Sequence, residues 1–201
     1  MVTVKQSNFK QTQGESTVCS NKFQQLKLNT YLLSFHQKNM PAQTQENLAR
    51  MIRLADEVFG MKQDPTQISV DKKVMAQLRK IHPNTITQKS TKNGPIAWIL
   101  VFPTTKDLMR QFIARKINEQ ELLKRTSLRA EYDAVYLCSA LVLPEHRKKG
   151  LAKYLMCKAI KSIQKQHPIK FLFYWAFSAE GKRLAVSVAK NLSLPLSKRI
   201  D

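Results

Sequence analysis

The chain divides into segments with apolar residues at helical spacing and segments in which apolar residues follow one another without interruption. Helical spacing is found at residues 44–59, 70–81, 151–163 and 180–192. Continuous apolar runs occupy residues 96–102, 134–143 and 169–177, and their length is typical of strands. The pattern therefore predicts a protein in which amphipathic helices pack against a sheet.

Turn and capping residues set the expected ends of these segments. Thr44 is placed to cap the first helix and Gly60 to end it, and the second helix closes at His82-Pro83. Lys92-Asn93-Gly94 predicts a turn before the strand 96–102, with Ile86 in its hairpin partner. Pro103 is expected to end that strand.

The stretch from Ala134 to Ile163 combines an apolar strand, a basic turn and an amphipathic helix. The strand stops at Pro144, and Gly150 precedes the helix. The first backbone N–H groups of a helix have no intrahelical partner, so they stabilise an anion placed there. Gly150 lets a phosphate approach closely, and Arg147, Lys148 and Lys149 add positive potential. This junction predicts a pyrophosphate site.

The residues Arg147-Lys148-Lys149-Gly150-Leu151-Ala152 match the pattern Arg/Gln-x-x-Gly-x-Gly/Ala. With the strand before them and the helix after them, they resemble the GNAT superfamily of acyl-CoA-dependent N-acetyltransferases. The resemblance is detailed from Ala134 to about Leu194 and only architectural before that. It implies an α+β fold, with a central mixed and mostly antiparallel sheet flanked by helices.

The resemblance also implies a cofactor site and a reaction. The strand end Leu141, Val142 and Leu143 would pair its backbone with the pantetheine amides of acetyl-CoA. The motif residues Arg147–Ala152, comprising Arg147, Lys148, Lys149, Gly150, Leu151 and Ala152, would hold the pyrophosphate. The strand 169–177 would splay from its neighbour to admit the thioester, which a primary amine of unknown identity would attack directly.

The residue that would protonate the departing thiolate is not evident. The superfamily often uses a tyrosine of its last helix, but Ala189 stands at that position, with Ser187 nearby. Tyr174 and Tyr136 are further weak candidates, and Ser139 shares the cofactor strand with Tyr136. The nearby carboxylates that could serve as a base are Glu131, Asp133, Glu145 and Glu180.

The segment 104–133 is an insertion where the superfamily has a short hairpin. Thr104-Thr105-Lys106-Asp107 has capping-box character, and apolar positions from Leu108 to Ile117 predict a helix running toward Leu123. The insertion is either a lid that recognises the acceptor or a helix that only covers the sheet.

Length and composition predict one domain over residues 41–201, preceded by a polar segment 1–40 with a short apolar stretch at Leu26–Phe35. No apolar run reaches the roughly 18 residues of a membrane span, and the first thirty residues show no apolar core of an export signal, so neither is expected. The three cysteines are odd in number and widely spaced, which indicates reduced thiols and a cytoplasmic protein. Cys138 is expected to be structural rather than a nucleophile. The scattered histidines predict no metal site.

The net charge of +20 supports a competing hypothesis. Such a charge attracts CoA, an acidic protein or nucleic acid alike. A basic nucleic-acid-binding protein therefore remains an alternative, although the sequence has no aromatic RNA-binding signature, zinc module or helix-turn-helix. A third hypothesis is a sensor that binds CoA without turnover, which the absent tyrosine favours.

Overall fold

The computed structural model describes residues 42–60, 67–68, 71–175 and 178–200. The polar segment predicted at 1–40, with its apolar stretch Leu26–Phe35 and Cys19, lies outside the described residues. Helices and strands follow one another in this order: α1 Ala42–Gly60, α2 Lys72–Ile81, β1 Ile86–Thr91, β2 Gly94–Thr104, α3 Lys106–Ile113, α4 Glu119–Arg125, β3 Ala134–Val142, α5 Leu151–Gln164, β4 Phe171–Tyr174, α6 Ala179–Leu192 and β5 Leu196–Lys198. Two short 3-10 turns cover Pro83–Thr85 and Pro144–His146.

The described strands form one five-stranded mixed sheet in the order β1-β2-β3-β4-β5. The pairs β1–β2 and β2–β3 are antiparallel, and the pairs β3–β4 and β4–β5 are parallel. The protein is therefore of mixed α+β class with helices around a central sheet, as the sequence predicts. The expected excess of antiparallel pairs is not found among these strands, because the short strand β5 adds a second parallel pair.

Aromatic side chains pack one face of the sheet against the insertion. Phe102 and Tyr136 are opposite each other on β2 and β3, and Phe173 is opposite Tyr136 on β4. The Phe112 ring of α3 lies with its centroid 5.1 Å from that of Tyr136 and 5.9 Å from that of Phe173. Ile96 points to the same face as Phe102, since the two are an even number of residues apart, and there it packs with Met51 of α1.

The helices α5 and α6 cover the opposite face. Helix α5 connects the parallel strands β3 and β4, and α6 connects the parallel strands β4 and β5. Such crossover connections are almost always right-handed. Because both crossovers advance in the same direction along the sheet, both helices lie on the same face. Ile160 and Ile163 of α5, and Val188 of α6, are completely buried in the main core. These crossovers bring the beginning of α5 to the end of β3.

Strand β2 continues through Pro103 to Thr104, so the expected end at Pro103 is wrong. Thr104 is fully buried at the last strand position, where its hydroxyl lies 2.8 Å from that of Thr126. The helix cap is Thr105, whose side chain accepts a hydrogen bond from the Leu108 amide. The sequence thus contains the expected capping residue, but it is Thr105 rather than Thr104.

The insertion contains two helices rather than the single helix expected to run toward Leu123. The chain turns at Arg115, which has a φ of 60°, and α4 begins after Asn118. The side chains and amides of Asn118 and Glu121 bond reciprocally in a capping box that starts the new helix. Ile117 lies between the two helices and is buried. The helical spacing of apolar residues therefore continues across the break, and the sequence gives no sign of the break.

Candidate functional site

Strands β3 and β4 separate in front of the helix α5. Their pairing begins at Ala134 and Phe171 and ends at Leu137 and Tyr174, so β4 has four residues where a strand over 169–177 was expected. Strand β3 continues five residues further, to Val142. Its last half is therefore paired on one side only within the described part of the sheet, and we call this opening the fork.

A β-bulge lies at the beginning of the fork. On β2 the neighbours Leu100 and Val101 are opposite Ser139 and Leu137, so Cys138 is the extra residue of β3. A bulge bends its strand and increases the local twist, and bulges are frequent next to binding sites. The bend turns the end of β3 relative to β4 at the position where their pairing stops.

The backbone of β3 alternates between its two sides beyond the bulge. The Leu143 amide donates to the Ile96 carbonyl at 3.0 Å, so Leu141 and Leu143 turn their backbone groups toward β2. Ala140 and Val142 therefore turn theirs toward the fork. Of the predicted residues Leu141, Val142 and Leu143, only Val142 has the orientation that the prediction needs. Its carbonyl oxygen accepts a hydrogen bond from Arg147 Nε at 2.9 Å.

The basic turn between β3 and α5 is open to solvent. Arg147, Lys148, Lys149 and Gly150 are all exposed, and Leu151 and Ala152 are half-buried. Gly150 has a φ of +74°, a left-handed conformation that side chains rarely adopt. A Cβ added to Gly150 would have no atom within 4 Å, so the space in front of it is open. Lys148 also has a positive φ, of 59°.

Helix α5 begins without a side-chain cap. Gly150 occupies its N-cap position and offers no side chain. The other helices whose N-caps are described each have a capping side chain, supplied by Asp71, Thr105, Asn118 and Ser178. The first amides of α5 are therefore left for a ligand or water, and they carry the positive end of the helix dipole.

Helix α1 holds the turn in place from the other side. Arg50 Nη2 lies 2.7 Å from Glu145 Oε1 in an ion pair that links α1 to the 3-10 turn after β3. Backbone hydrogen bonding at Glu145, followed by Arg50, lowers the pKa of this carboxyl. A lowered pKa makes Glu145 a weaker base, and Arg50 already binds its carboxylate, so both observations argue against a role as the catalytic base.

The other carboxylates that the sequence suggested are placed away from the fork. Glu180 pairs with Arg183 at 2.5 Å on the exposed surface of α6. Asp133 precedes β3, and its side chain accepts from the Lys106 amide at 2.5 Å. Glu131 is exposed in the same connection. The structure does not bring these carboxylates together. Ser139 is opposite Leu100 beside the bulge.

A buried polar pair that sequence reasoning missed lies beside the fork. Glu119, only 4% exposed at the beginning of α4, accepts a hydrogen bond from the Tyr136 hydroxyl and another from the Ile68 amide at 2.9 Å. Burial, then the Glu119 charge, raises the pKa of Tyr136 well above its usual value. The same two causes raise the pKa of the Cys138 thiol, which disfavours the thiolate that a nucleophile needs.

No sequence signal distinguished Glu119 from its neighbour Glu121. Both stand in the first turn of α4, where acidic residues are common for helix-dipole reasons alone. Glu121 remains at the surface in the capping box, whereas Glu119 turns into the core because Tyr136 lies beneath it. Only the packing of the insertion on the sheet assigns the two glutamates different environments.

The contacts of the insertion favour a cover over a lid. Phe112 is completely buried, and Glu119 bonds to the strand β3 beneath it. Arg199, after β5, donates to the Phe112 and Ile117 carbonyls at 3.2 and 2.9 Å and lies over the Phe112 and Trp175 rings. Contacts of this kind are typical of an element that covers the sheet.

The remaining catalytic candidates differ in position relative to the fork, in burial and in hydrogen bonding. Tyr174 is the last paired residue of β4, opposite Leu137, and is buried. Tyr136 has its hydroxyl bound to Glu119. Ser187 is half-buried on α6, and Ala189, where the superfamily often has a tyrosine, is buried. Tyr174 is thus the candidate that the strand geometry places at the fork.

The described residues contain neither a cluster of metal ligands nor a helix suited to cross a membrane. Among them, no group of three or more His, Cys, Asp or Glu side chains is placed to hold a metal ion. None of the helices in the described ranges has the length and apolar character needed to cross a membrane. Comparisons of the chain with protein-family models, curated proteins and solved structures found no match.

Proposed function

We propose that this protein is a cytoplasmic, acyl-CoA-dependent N-acetyltransferase. It transfers the acetyl group of acetyl-CoA to a primary amine by direct attack of the amine on the thioester. The proposal rests on the residue pattern from Arg147 to Ala152 and on the surroundings of that pattern in the fold. The identity of the amine is not part of it.

The observation that carries the proposal is the fork in front of an uncapped helix. Strand β3 runs five residues beyond its pairing with β4, and the chain then turns into α5 through exposed basic residues and Gly150. An extended ligand with amide groups can bond to the unpaired edge of a strand as a neighbouring strand would. The pantetheine arm of CoA has such amides, and the diphosphate that follows it in CoA would reach the turn before α5.

The turn suits a diphosphate in charge and in space. The amides of Leu151, Ala152 and Lys153 are the first of α5, and no side chain within the described ranges caps them. The open space at Gly150 gives the phosphate oxygens access to these amides. Arg147 bonds to the Val142 carbonyl through Nε, which leaves the rest of its guanidinium group for the ligand and fixes the turn against the strand.

The chemistry requires donors for the thioester oxygen and a proton for the departing thiolate. The amides of β3 that face the fork, at Ala140 and Val142, are the donors that this chain offers to the carbonyl oxygen as charge develops there. Tyr174 is the candidate that would give the thiolate its proton, and the proton that the amine nitrogen loses on forming the amide would restore the Tyr174 hydroxyl. Tyr136 is not, because its hydroxyl is bound to the buried Glu119.

The first test measures acetyl-CoA binding by calorimetry at low salt, followed by turnover against a panel of amines. We expect binding by wild-type protein and loss of binding by the folded Gly150→Asp variant. Absence of acetyl-CoA and CoA binding by folded wild-type protein contradicts the proposal. Unchanged binding by Gly150→Asp contradicts the assignment of the phosphate site.

Ala189 supports a second candidate function, a sensor that binds acetyl-CoA without catalysis. Its buried methyl group cannot serve as the proton donor that the superfamily often places there. The two functions share the same ligand site and differ in turnover. Binding of acetyl-CoA without acetylation of any amine in the panel would favour the sensor, and acetylation of one amine would exclude it.

A further inference from the structure

An open basic groove lies on the outer surface of α5. It has a volume of about 650 Å³ and is lined by Asn84, Gly150, Lys153, Tyr154, Cys157, Lys158, Lys161, Ser162, Lys165 and Asn191. Four of these ten residues are lysines and none is acidic. At its wall, the Asn84 side chain donates to the Ser162 hydroxyl at 2.6 Å, which fastens the 3-10 turn Pro83–Thr85 against α5.

One exposed tyrosine and three exposed lysines of the groove form a stripe along α5. Tyr154, Lys158, Lys161 and Lys165 follow one another at spacings of four, three and four residues, so they share one face of α5. At about 1.5 Å per residue the stripe is roughly 16 Å long. Tyr154 is 61% exposed, which is unusually open for an aromatic side chain.

The combination of lysines and an exposed ring indicates the chemistry of the partner. A row of ammonium groups without a carboxylate among them attracts a chain of phosphates. An exposed ring beside that row is a platform on which a base can stack, and stacking of this kind occurs on unpaired strands. Among the groove residues Tyr154 is the sole exposed large hydrophobic side chain, which is too little apolar surface for insertion into a membrane.

We propose that the α5 groove binds single-stranded nucleic acid, with Tyr154 stacked against a base and Lys158, Lys161 and Lys165 contacting backbone phosphates. This site goes beyond the proposed acetyltransferase function and does not depend on it. Its three lysines stand seven to fourteen residues after Leu151, so they are about 10 to 21 Å along the helix from the diphosphate turn.

The test uses fluorescence anisotropy with a labelled 12-nucleotide oligouridine and the full-length protein. If the three lysines neutralise phosphates, an increase from 50 to 200 mM salt weakens binding about 20-fold. The triple variant Lys158→Glu, Lys161→Glu, Lys165→Glu should bind more than tenfold more weakly than wild type at 50 mM salt. Tyr154→Ala should lose about fivefold, with little change in the salt dependence.

A matched control separates the groove from the overall charge. The triple variant Lys116→Glu, Lys124→Glu, Arg129→Glu changes the net charge equally, at exposed positions of the insertion on the opposite face of the sheet. It should stay within about threefold of wild type. Equal losses in the two triple variants, no binding by wild type at 50 mM salt, or wild-type affinity in Tyr154→Ala would each overturn the proposal. Circular dichroism establishes that each variant is folded.

Two further arms distinguish this site from other uses of the same charge. Gly150→Asp, at the end of the groove nearest the turn, should lose CoA binding and weaken oligouridine binding far less than the α5 triple variant does, whereas the α5 triple variant should lose oligouridine binding and keep CoA binding. A failure of one site thus leaves the other interpretable. Tighter binding to vesicles containing phosphatidylserine than to oligouridine, with the same loss in the triple variant, would assign the groove to a membrane surface and refute the nucleic-acid proposal.

Discussion

Substitution of Gly150 should affect protein stability and CoA affinity to different extents. At a φ of +74° any L side chain is strained, by about 1 to 2 kcal/mol. No atom lies within 4 Å of the added Cβ, so this backbone term is the main cost to stability. For a domain of this size, 1 kcal/mol corresponds to a fall in Tm of about 2 to 4 °C. Gly150→Ala should therefore remain folded at 25 °C.

The effect of the substitution on CoA binding should be far larger than this loss of stability. The new methyl group occupies space through which the phosphate oxygens would approach the first amides of α5. We expect at least a tenfold loss of CoA affinity in Gly150→Ala, measured by calorimetry. Gly94→Ala is the matched control, since Gly94 also has a positive φ, of 103°, but lies in the β1–β2 hairpin. It should lose stability and bind CoA as wild type does.

The pair Gly150→Asn and Gly150→Asp isolates the charge of the ligand. Both side chains have the same shape, and Asn and Asp both tolerate left-handed backbone better than other residues. Two unit charges about 5 Å apart interact by about 0.8 kcal/mol in bulk water and about 3.3 kcal/mol at an effective permittivity of 20. The Asp variant should therefore bind CoA about 4-fold to 200-fold more weakly than the Asn variant, and the difference should shrink as salt is added.

The stability of the Asp variant gives the sharpest contrast. A carboxylate at the beginning of α5 interacts favourably with the helix dipole, so Gly150→Asp should be at least as stable as Gly150→Asn. A ligand-binding loss that merely reflects unfolding would instead follow the Tm of each variant. Equal CoA affinities of the Asn and Asp variants, or losses that follow Tm across the series, would refute the placement of a diphosphate at this turn.

Three further variants test other parts of the structure. Burial, then the neighbouring His167, lowers the pKa of His82, so the unfolded chain binds a proton near pH 6.5 that the folded protein does not. The contribution of neutral His82 to the free energy of unfolding should therefore be fully present above pH 6.5 and should decline as the pH falls toward the folded pKa. His82→Asn should flatten this pH dependence in urea titrations at pH 7.5 and 5.5. Tyr136→Phe removes a donor from the buried Glu119 and should cost about 1 to 3 kcal/mol in the free energy of unfolding, while CoA affinity in calorimetry stays unchanged. Tyr174→Phe should lower kcat about 100-fold or more in the acetylation assay if its hydroxyl protonates the thiolate, with acetyl-CoA affinity retained; an unchanged kcat would remove Tyr174 from the reaction.

Most helices and strands could be predicted because their residues follow a simple period. Helix α5 begins at Leu151 as expected, and α6 begins one residue before the predicted Glu180. The errors fall where a local contact overrides the period. The break before α4 depends on the reciprocal bonds of Asn118 and Glu121. Strand β5 has only three residues and is defined by its pairing with β4. It contains no apolar run from which a strand could be predicted.

The candidate site was predictable only in the part that one short stretch of sequence encodes. Arg147 to Ala152 form a contiguous turn, so its charge and its glycine are visible in the sequence. The fork is a different kind of feature, because it depends on where the pairing of two distant strands stops. The bulge at Cys138 belongs to the register between β2 and β3, and no residue type announces it. The family resemblance therefore implies the same role for Leu141, Val142 and Leu143.

The bulge also explains how one strand can serve both the core and a ligand. Before the bulge, Tyr136 points to the face that the insertion covers, where Glu119 and Phe112 hold it. A strand without the extra residue would keep that alternation to its end. With Cys138 inserted, the alternation shifts by one residue, so Leu141 still packs in the core with Ile96 while the backbone of Val142 turns to the fork. The buried Glu119–Tyr136 pair therefore fixes the part of β3 before the bulge, and the part beyond the bulge has the edge without a partner strand in the described sheet that the proposed ligand needs.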